Sequence, residues 1–424
     1  MFPVRLTADP LALAGLLGAV AAGICLGTVS GLVPGLHANT LALLLAATAG
    51  SVPGPRLYVG AAMLAAGVTH TFLDAVPALA LGVPDPAMAA GALPSHQLVI
   101  EGRGREALRL SALGSGGAVV LAAPLAVPVT LLMQQAYPFV SAHLTVVLGA
   151  IAGLVVLTEP DWSRRVGATV SIAASGGLGV ATLDIPVGSL LPVSDILVPL
   201  FSGLFGAPVL LAAIEGEGVP PQADAAVTTP PRTIAVLTTV GTLCGAAVGY
   251  LPGVSSAVAA TLALSLTANG VPTAVSGDGG GAEAPGGPRA FVVTTSGVNT
   301  ATAVFALFAL VTFGDPRTGV LVALDRASVP LVLPSLFASV VVAAVAGSLL
   351  VPHLGDRYLR TVGRLDPTWL SVGVLIGLVC LSWVFAGPVG VGAFAAATLV
   401  GHLPPRVGCR RATLMGVLLV PIAL

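Results

Sequence analysis

Two short polar runs interrupt apolar stretches of this chain. One is Gly67-Val68-Thr69-His70-Thr71, with Asp74 one turn further on. The other is Gly297-Val298-Asn299-Thr300. Polar groups inside apolar, lipid-embedded segments must hydrogen-bond or line a cavity. Thr69, Asn299 and Thr300 can hold a carboxylate or offer oxygens to a cation. His70 and Asp74 stand at i, i+4 on one helix face, so they can pair and pass a proton. The plainer reading is interhelical hydrogen bonding, worth about 0.6 kcal/mol per bond in membranes.

A second constellation lies nearer the N-terminus. Gly23, Gly27 and Gly31 recur every fourth residue and lead into Pro34-Gly35, followed by Leu36-His37-Ala38-Asn39-Thr40. The glycines share one helix face, and Pro34-Gly35 breaks that helix. Asn39 or Thr40 is the expected N-cap of a short helix beginning there. A half-helix N-terminus at membrane depth presents open N–H groups and partial positive charge, which suits a carboxylate or phosphate. The pattern returns as Gly241, Gly245 and Gly249, then Pro252-Gly253-Val254-Ser255-Ser256. One such run alone reads as a packing face with a proline kink. Two copies in matching places read as a transport site. The candidate solute contacts are therefore Gly35, His37, Asn39, Thr40, Thr69, Gly253, Ser255, Ser256, Asn299 and Thr300. His70 and Asp74 are the candidates for proton or ion coupling.

Other chemistry is not encoded. The four cysteines (Cys25, Cys244, Cys380, Cys409) have no paired spacing, and no metal-binding, nucleophile-elbow or ATP-loop pattern is present. No metal or cofactor is expected beyond a coupling ion, H+ or Na+. Without an ATP-binding loop, active transport would draw on an ion gradient or on partner subunits. The net charge of −1 implies no nucleic-acid partner.

The elements that position these residues follow from composition. Of 424 residues, 56% are hydrophobic and 8% charged, against about 25% charged in a soluble domain. Such a chain faces lipid, and its 53 glycines suit close helix packing there. The expected fold is an all-α, multi-pass membrane bundle in the cytoplasmic membrane. Apolar elements fall near 11–33, 40–50, 57–83, 108–133, 139–158, 165–183 and 196–214. A second set falls near 232–251, 257–268, 290–313, 328–351, 368–386, 387–402 and 411–424. The first is read as a retained span, not a removed signal. Elements 40–50 and 257–268 are too short to span and read as re-entrant.

The two sets are copies. The glycines and Pro-Gly recur at an offset of 218, and Gly67/Gly297, Val68/Val298, Asp85/Asp315 and Pro86/Pro316 at 230. Residues 1–214 and 232–424 are thus two repeats, joined by the polar, Pro-rich linker 215–231. Seven elements per copy is an odd number, so the second copy should enter the bilayer inverted. The arginines agree: an inverted arrangement puts 13 inside and leaves Arg5, Arg56, Arg317 and Arg326 outside, with both termini external.

The repeated Gly-rich helix ending in Pro-Gly, as GLVPGLHANT and GYLPGVSS, resembles the large permease subunit of tripartite tricarboxylate transporters, the TctA type. MGVLLVP near the C-terminus and GLFGAPVLL in the first half are similar to it as well. The resemblance runs through most of the chain. It implies a secondary transporter for carboxylates, driven by an ion gradient, with a small membrane subunit and an extracytoplasmic solute-binding protein. After the first Pro-Gly the family continues Leu-Gly-Pro, whereas this chain has Leu36-His37-Ala38. It looks closer to a divergent, archaeal-type branch.

The reading that follows is a secondary active permease for small organic anions, most simply carboxylates. The alternatives are a passive anion channel and an intramembrane enzyme. For the enzyme, His70 with Asp74 is the only nearby pair of reactive groups in the sequence.

Overall fold

The computed structural model describes residues 9–34, 36, 38–81, 92–190, 194–214, 219–224, 226–251, 254, 258–264 and 287–424. Among them, every regular element is helical and seven helices are long and apolar enough to cross a membrane. The protein is a polytopic all-α bundle.

Each half opens with the same construction. Helix α1 (Pro10–Gly31) lies along α3 (Arg56–Leu73). A Cβ on Gly23, Gly27 or Gly31 would come within 3 Å of the Ala62, Ala66 or His70 carbonyl oxygen. The backbones therefore touch, as small residues permit in lipid. The order of these contacts, with Tyr58 Oη bonded to the Ala12 carbonyl at 3.0 Å, shows that α1 and α3 run parallel. In the second half α11 (Pro231–Tyr250) lies on α13 (Pro288–Phe313) in the same way. Gly241, Gly245 and Gly249 face Thr294, Val298 and Phe305 in turn, so this pair is parallel too.

Two parallel spans need a connection that returns across the bilayer. Helix α2 (Ala38–Thr48) supplies part of that return, being 11 residues or about 16 Å long. Its counterpart contains helical residues 258–264, here α12. Both short elements expected to be re-entrant therefore sit in returning connections. Helix α2 begins at Ala38. Asn39 and Thr40 thus lie inside its first turn and do not cap it, a correction to the expected N-cap.

Helix α3 stops at a turn on Asp74 and resumes as α4 (Ala75–Leu81). Two short helices were not anticipated: α5 (Ala92–Ile100) before the fourth long element of the first half, and α14 (Gly319–Arg326) at the matching place in the second. The fourth elements are α6 (Gly104–Ala142) and α15 (Leu333–Val362). Helix α6 keeps Pro124, Pro128 and Pro138 inside it and runs past the break expected near 133–139. Lipid-embedded helices tolerate proline where neighbours satisfy the freed carbonyls.

Contacts fix the relative directions. Gly104, Gly116 and Gly355 pair α6 with α15 in antiparallel order, while Gly60 and Gly347 place α3 alongside Val329 and Phe72 alongside α15 in parallel order. Gly114 on Val293 and Thr130 Oγ1 on Tyr250 Oη, at 2.6 Å, set α6 parallel to α13 and α11. Helix α3 consequently runs opposite to α13, and α6 opposite to α15.

The last elements pack beside this core. Helices α7 (Leu144–Leu157) and α8 (Trp162–Thr182) precede α9 (Leu197–Phe201), a π-helical turn and α10 (Ala207–Ala213). Helix α16 (Pro367–Gly401) contains a reversal at Gly387, whose φ of 58° and ψ of −152° suit only glycine. A Cβ on Gly390 would lie within 3 Å of the Ser382 carbonyl oxygen, whereas eight residues of straight helix span about 12 Å. Thr368 Oγ1 donates to the Ile214 carbonyl at 3.3 Å, and Gly401 lies on Leu204 and Pro208. Residues 367–386 and 388–401 are therefore two legs of a hairpin, as the expected boundary at 386/387 anticipated. Helix α17 (Leu403–Val407), a 3-10 turn and α18 (Gly416–Ala423) close the chain.

This geometry gathers the basic loops at one end. Arg105 bonds Asp356 at 2.6 Å, and the Arg410 N–H donates to Glu159 Oε1 at 2.9 Å. Arg56, Arg317 and Arg326 lie at the other end; Arg5 is outside the described residues.

Candidate functional site

The two polar runs come together. Asn299 Nδ2 donates to the Thr71 carbonyl at 3.5 Å, the long limit of a hydrogen bond. Asn299 stands eleven residues into α13, about 16 Å from its basic end and near mid-depth. Both runs lie in continuous helix: α13 is unbroken from Pro288 to Phe313, and α3 turns only at Asp74. Neither Gly-Val run breaks its helix. What these glycines provide is close approach, Gly67 to Val320 and Gly297 to Gly114 and Gly241.

His70 is fully buried and ties α3 to the end of α1. Its Nδ1 lies 2.9 Å from Ser30 Oγ, and Ser30 donates its hydroxyl proton to the Gly27 carbonyl at 3.2 Å. Either partner can be the donor in the Ser30–His70 contact, according to the histidine tautomer. Asp74 is buried one turn later and sends its backbone N–H to the His70 carbonyl at 2.8 Å.

Hydroxyls around Asn299 carry an unusual demand. Thr302 returns its hydroxyl to the Val298 carbonyl at 2.7 Å, the ordinary arrangement for a helical threonine. The buried hydroxyls of Thr69, Thr294, Thr295 and Thr300 have no hydrogen-bond partner among the described residues. An unsatisfied buried hydroxyl costs about 1–3 kcal/mol, so each of these four has hydrogen-bonding capacity left over for a polar guest. Thr295 stands one turn from Asn299 on the same face and was not singled out from sequence. Its signal was the run Thr294-Thr295-Ser296 just before Gly297. Ser30, also missed, sits within the first glycine face.

Of the remaining expected contacts, Gly35, His37, Gly253, Ser255 and Ser256 lie outside the described residues, as do the side chains of Asn39 and Thr40. Among the described residues no cluster of His, Cys, Asp or Glu has the makings of a metal site, and the cysteines are free.

A second polar centre, unread in the sequence, lies at the basic end. Glu106 is fully buried at the start of α6. It accepts from Arg103 Nε at 2.6 Å, from Arg289 Nε at 3.0 Å, and from the Thr228 N–H and hydroxyl at 3.0 and 2.9 Å. Gln222 adds bonds to the Gly104 N–H and the Val99 carbonyl. The segment between the halves is thereby sewn to α5, α6 and α13. On α5, outside the long spans, burial pulls His96 below the usual imidazole range, against the opposing pull of the Leu79 carbonyl 2.7 Å away.

Seven helices long and apolar enough to cross a membrane, with the arginines gathered at their ends, define a multi-pass membrane protein. The chain belongs to the tripartite tricarboxylate transporter TctA family, whose model matches residues 17–416. It is also similar to an uncharacterized protein of Methanocaldococcus jannaschii, 23% identical over 413 residues, covering 95% of this chain and 96% of that one. That archaeal relative fits the divergent branch expected from the residues after the first Pro-Gly. No solved structure matches.

Proposed function

We propose that this protein is a secondary active permease that moves small organic anions, carboxylates of the di- or tricarboxylate class, across the cytoplasmic membrane. The observation that carries the reading is the meeting of α3 and α13 at Asn299 and Thr71, on two helices that also carry buried threonine hydroxyls without partners among the described residues. Asn299, Thr300, Thr295 and Thr69 donate to the carboxylate. His37, Asn39, Thr40, Ser255, Ser256 and the backbone at Gly35 and Gly253 supply the two half-helix ends. His70, joined to Ser30, and Asp74 couple transport to H+ or Na+.

Residues 1–214 and 232–424 act as two repeats of inverted topology. The opposed directions of α3 and α13, and of α6 and α15, support this, as does the shared construction of α1–α3 and α11–α13. Membership of a tripartite family supports a small membrane subunit and a solute-binding protein as partners.

The test is uptake of labelled citrate, succinate and malate into proteoliposomes, with and without an imposed Na+ or proton gradient and with any co-encoded partner proteins added. Saturable uptake that needs a gradient supports the reading. Flux that neither saturates nor depends on a gradient makes the protein a channel.

A further inference from the structure

At the basic end, α6 and α15 border a cleft of about 570 Å³. Arg105, Arg109, Arg357 and Arg360 line it, with Asp224 and Asp356 as the carboxylates among the described residues. Asp356 is shared between Arg105, at 2.6 Å, and Arg360, at 2.5 Å, while Asp224 takes Arg109 at 2.9 Å. The exposed guanidinium of Arg357 has no partner among the described residues. The cleft thus holds positive charge that its own carboxylates do not neutralise.

What lies above the cleft indicates the guest. On α15, Val342, Val345 and Leu349 are 41%, 59% and 62% exposed, and at helical spacing they share a face with His353, Arg357 and Arg360. On α6, Leu113 and Val120 are 47% and 72% exposed and share a face with Arg109. The two helices touch at Gly116 and Ser348, beside both stripes. A basic pocket at the membrane surface thus continues into an aliphatic seam running into the bilayer.

We infer that this seam is a binding site for an anionic phospholipid, its phosphate held by Arg357 with Arg109 and Arg360 and an acyl chain laid along Leu349, Val345 and Val342. A free phosphate would use the same guanidinium groups but has no use for the seam. A phospholipid satisfies both parts, and clustered arginines at the inner face are suited to anionic lipid headgroups.

The test is native mass spectrometry of the delipidated full chain, titrated separately with phosphatidylglycerol, with phosphatidylcholine of the same acyl chains, and with inorganic phosphate. Phosphatidylglycerol is expected to bind at least fivefold more tightly than phosphatidylcholine. Arg357→Gln should weaken it about fivefold, as for loss of one arginine near a membrane surface. Arg326→Gln, at the opposite end, should not change it. Equal binding of the two lipids by the unaltered protein overturns the inference, with no variant needed. So does wild-type lipid binding by Arg357→Gln. Inorganic phosphate that displaces the lipid at millimolar concentration and shares its dependence on Arg357 would reassign the cleft to a soluble anion.

Discussion

Glu106 and Arg289, 183 residues apart, meet across the basic end of the bundle at 3.0 Å. The carboxylate is fully buried and Arg289 is 15% exposed, with Arg103 and Thr228 completing the set. Removing one member of a buried pair leaves the other charge uncompensated, at a cost of about 3–5 kcal/mol. Glu106→Gln should therefore melt several degrees below the unaltered protein in a thiol-reactive fluorescence assay. Asp224→Asn, whose exposed partnership with Arg109 is worth at most about 1 kcal/mol, should melt almost unchanged.

Thr300→Val separates a binding role from structural glue. The substitution keeps the shape and removes a buried hydroxyl that has no partner among the described residues. Stability should stay level or rise by about 1 kcal/mol, because an unsatisfied group has gone. Carboxylate uptake should fall at least tenfold. If the hydroxyl instead bonds within the protein, the variant melts early and transports in proportion to its folded fraction.

The Ser30–His70 contact predicts a graded response. His70→Gln removes the imidazole and should make uptake insensitive to an imposed proton gradient while solute binding persists. Ser30→Ala frees His70 Nδ1 but leaves the ring, so coupling should weaken without being lost. Uptake by His70→Gln that still follows the proton gradient would remove His70 from the coupling path.

Glycine positions on α1 divide into two kinds. A methyl on Gly27 runs into the Ala66 carbonyl and Thr69 Cβ, both backbone-fixed, whereas a methyl on Gly18 meets nothing within 4 Å. Gly27→Ala should lower the melting temperature by several degrees and disturb uptake, since the displaced α3 carries Thr69 and His70. Gly18→Ala should be neutral or slightly stabilising, as alanine favours helix.

These pairs also show why parts of the molecule were legible in sequence and others were not. The glycine spacing repeats at short range, so the contact faces of α1 and α11 could be read directly. The reversal at Gly387 was legible because Gly387-Pro388 punctuates an otherwise uniform apolar run. Pro138 gave the same kind of signal and misled, because neighbours keep α6 helical through it. Helices α5 and α14 were missed because nine and eight residues are too few to show a period. In sequence Glu106 is simply a charge beside Arg103 and Arg105. Its burial depends on Thr228 and Arg289, and no local pattern announces a partner so far along the chain. Thr295 was passed over because threonine in an apolar helix ordinarily satisfies itself, and only the packed structure shows which hydroxyls do not.

The hairpin in α16 makes the sharpest topological prediction. If residues 367–401 formed one straight rod, Thr368 and Gly401 would stand about 50 Å apart, on opposite faces of the membrane. They instead meet Ile214 and Pro208 on one short helix, about 9 Å apart along its axis. In a background with its four cysteines replaced, single cysteines at Arg364 and Arg406 should both react with an impermeant maleimide from the same side of sealed vesicles. A cysteine at Arg326 should react only from the other. Labelling of Arg364 and Arg406 from opposite sides would mean that residues 367–401 cross an odd number of times instead of folding back. That result would also reverse the direction of α18 relative to α8 and separate Arg410 from Glu159, which now sit 2.9 Å apart.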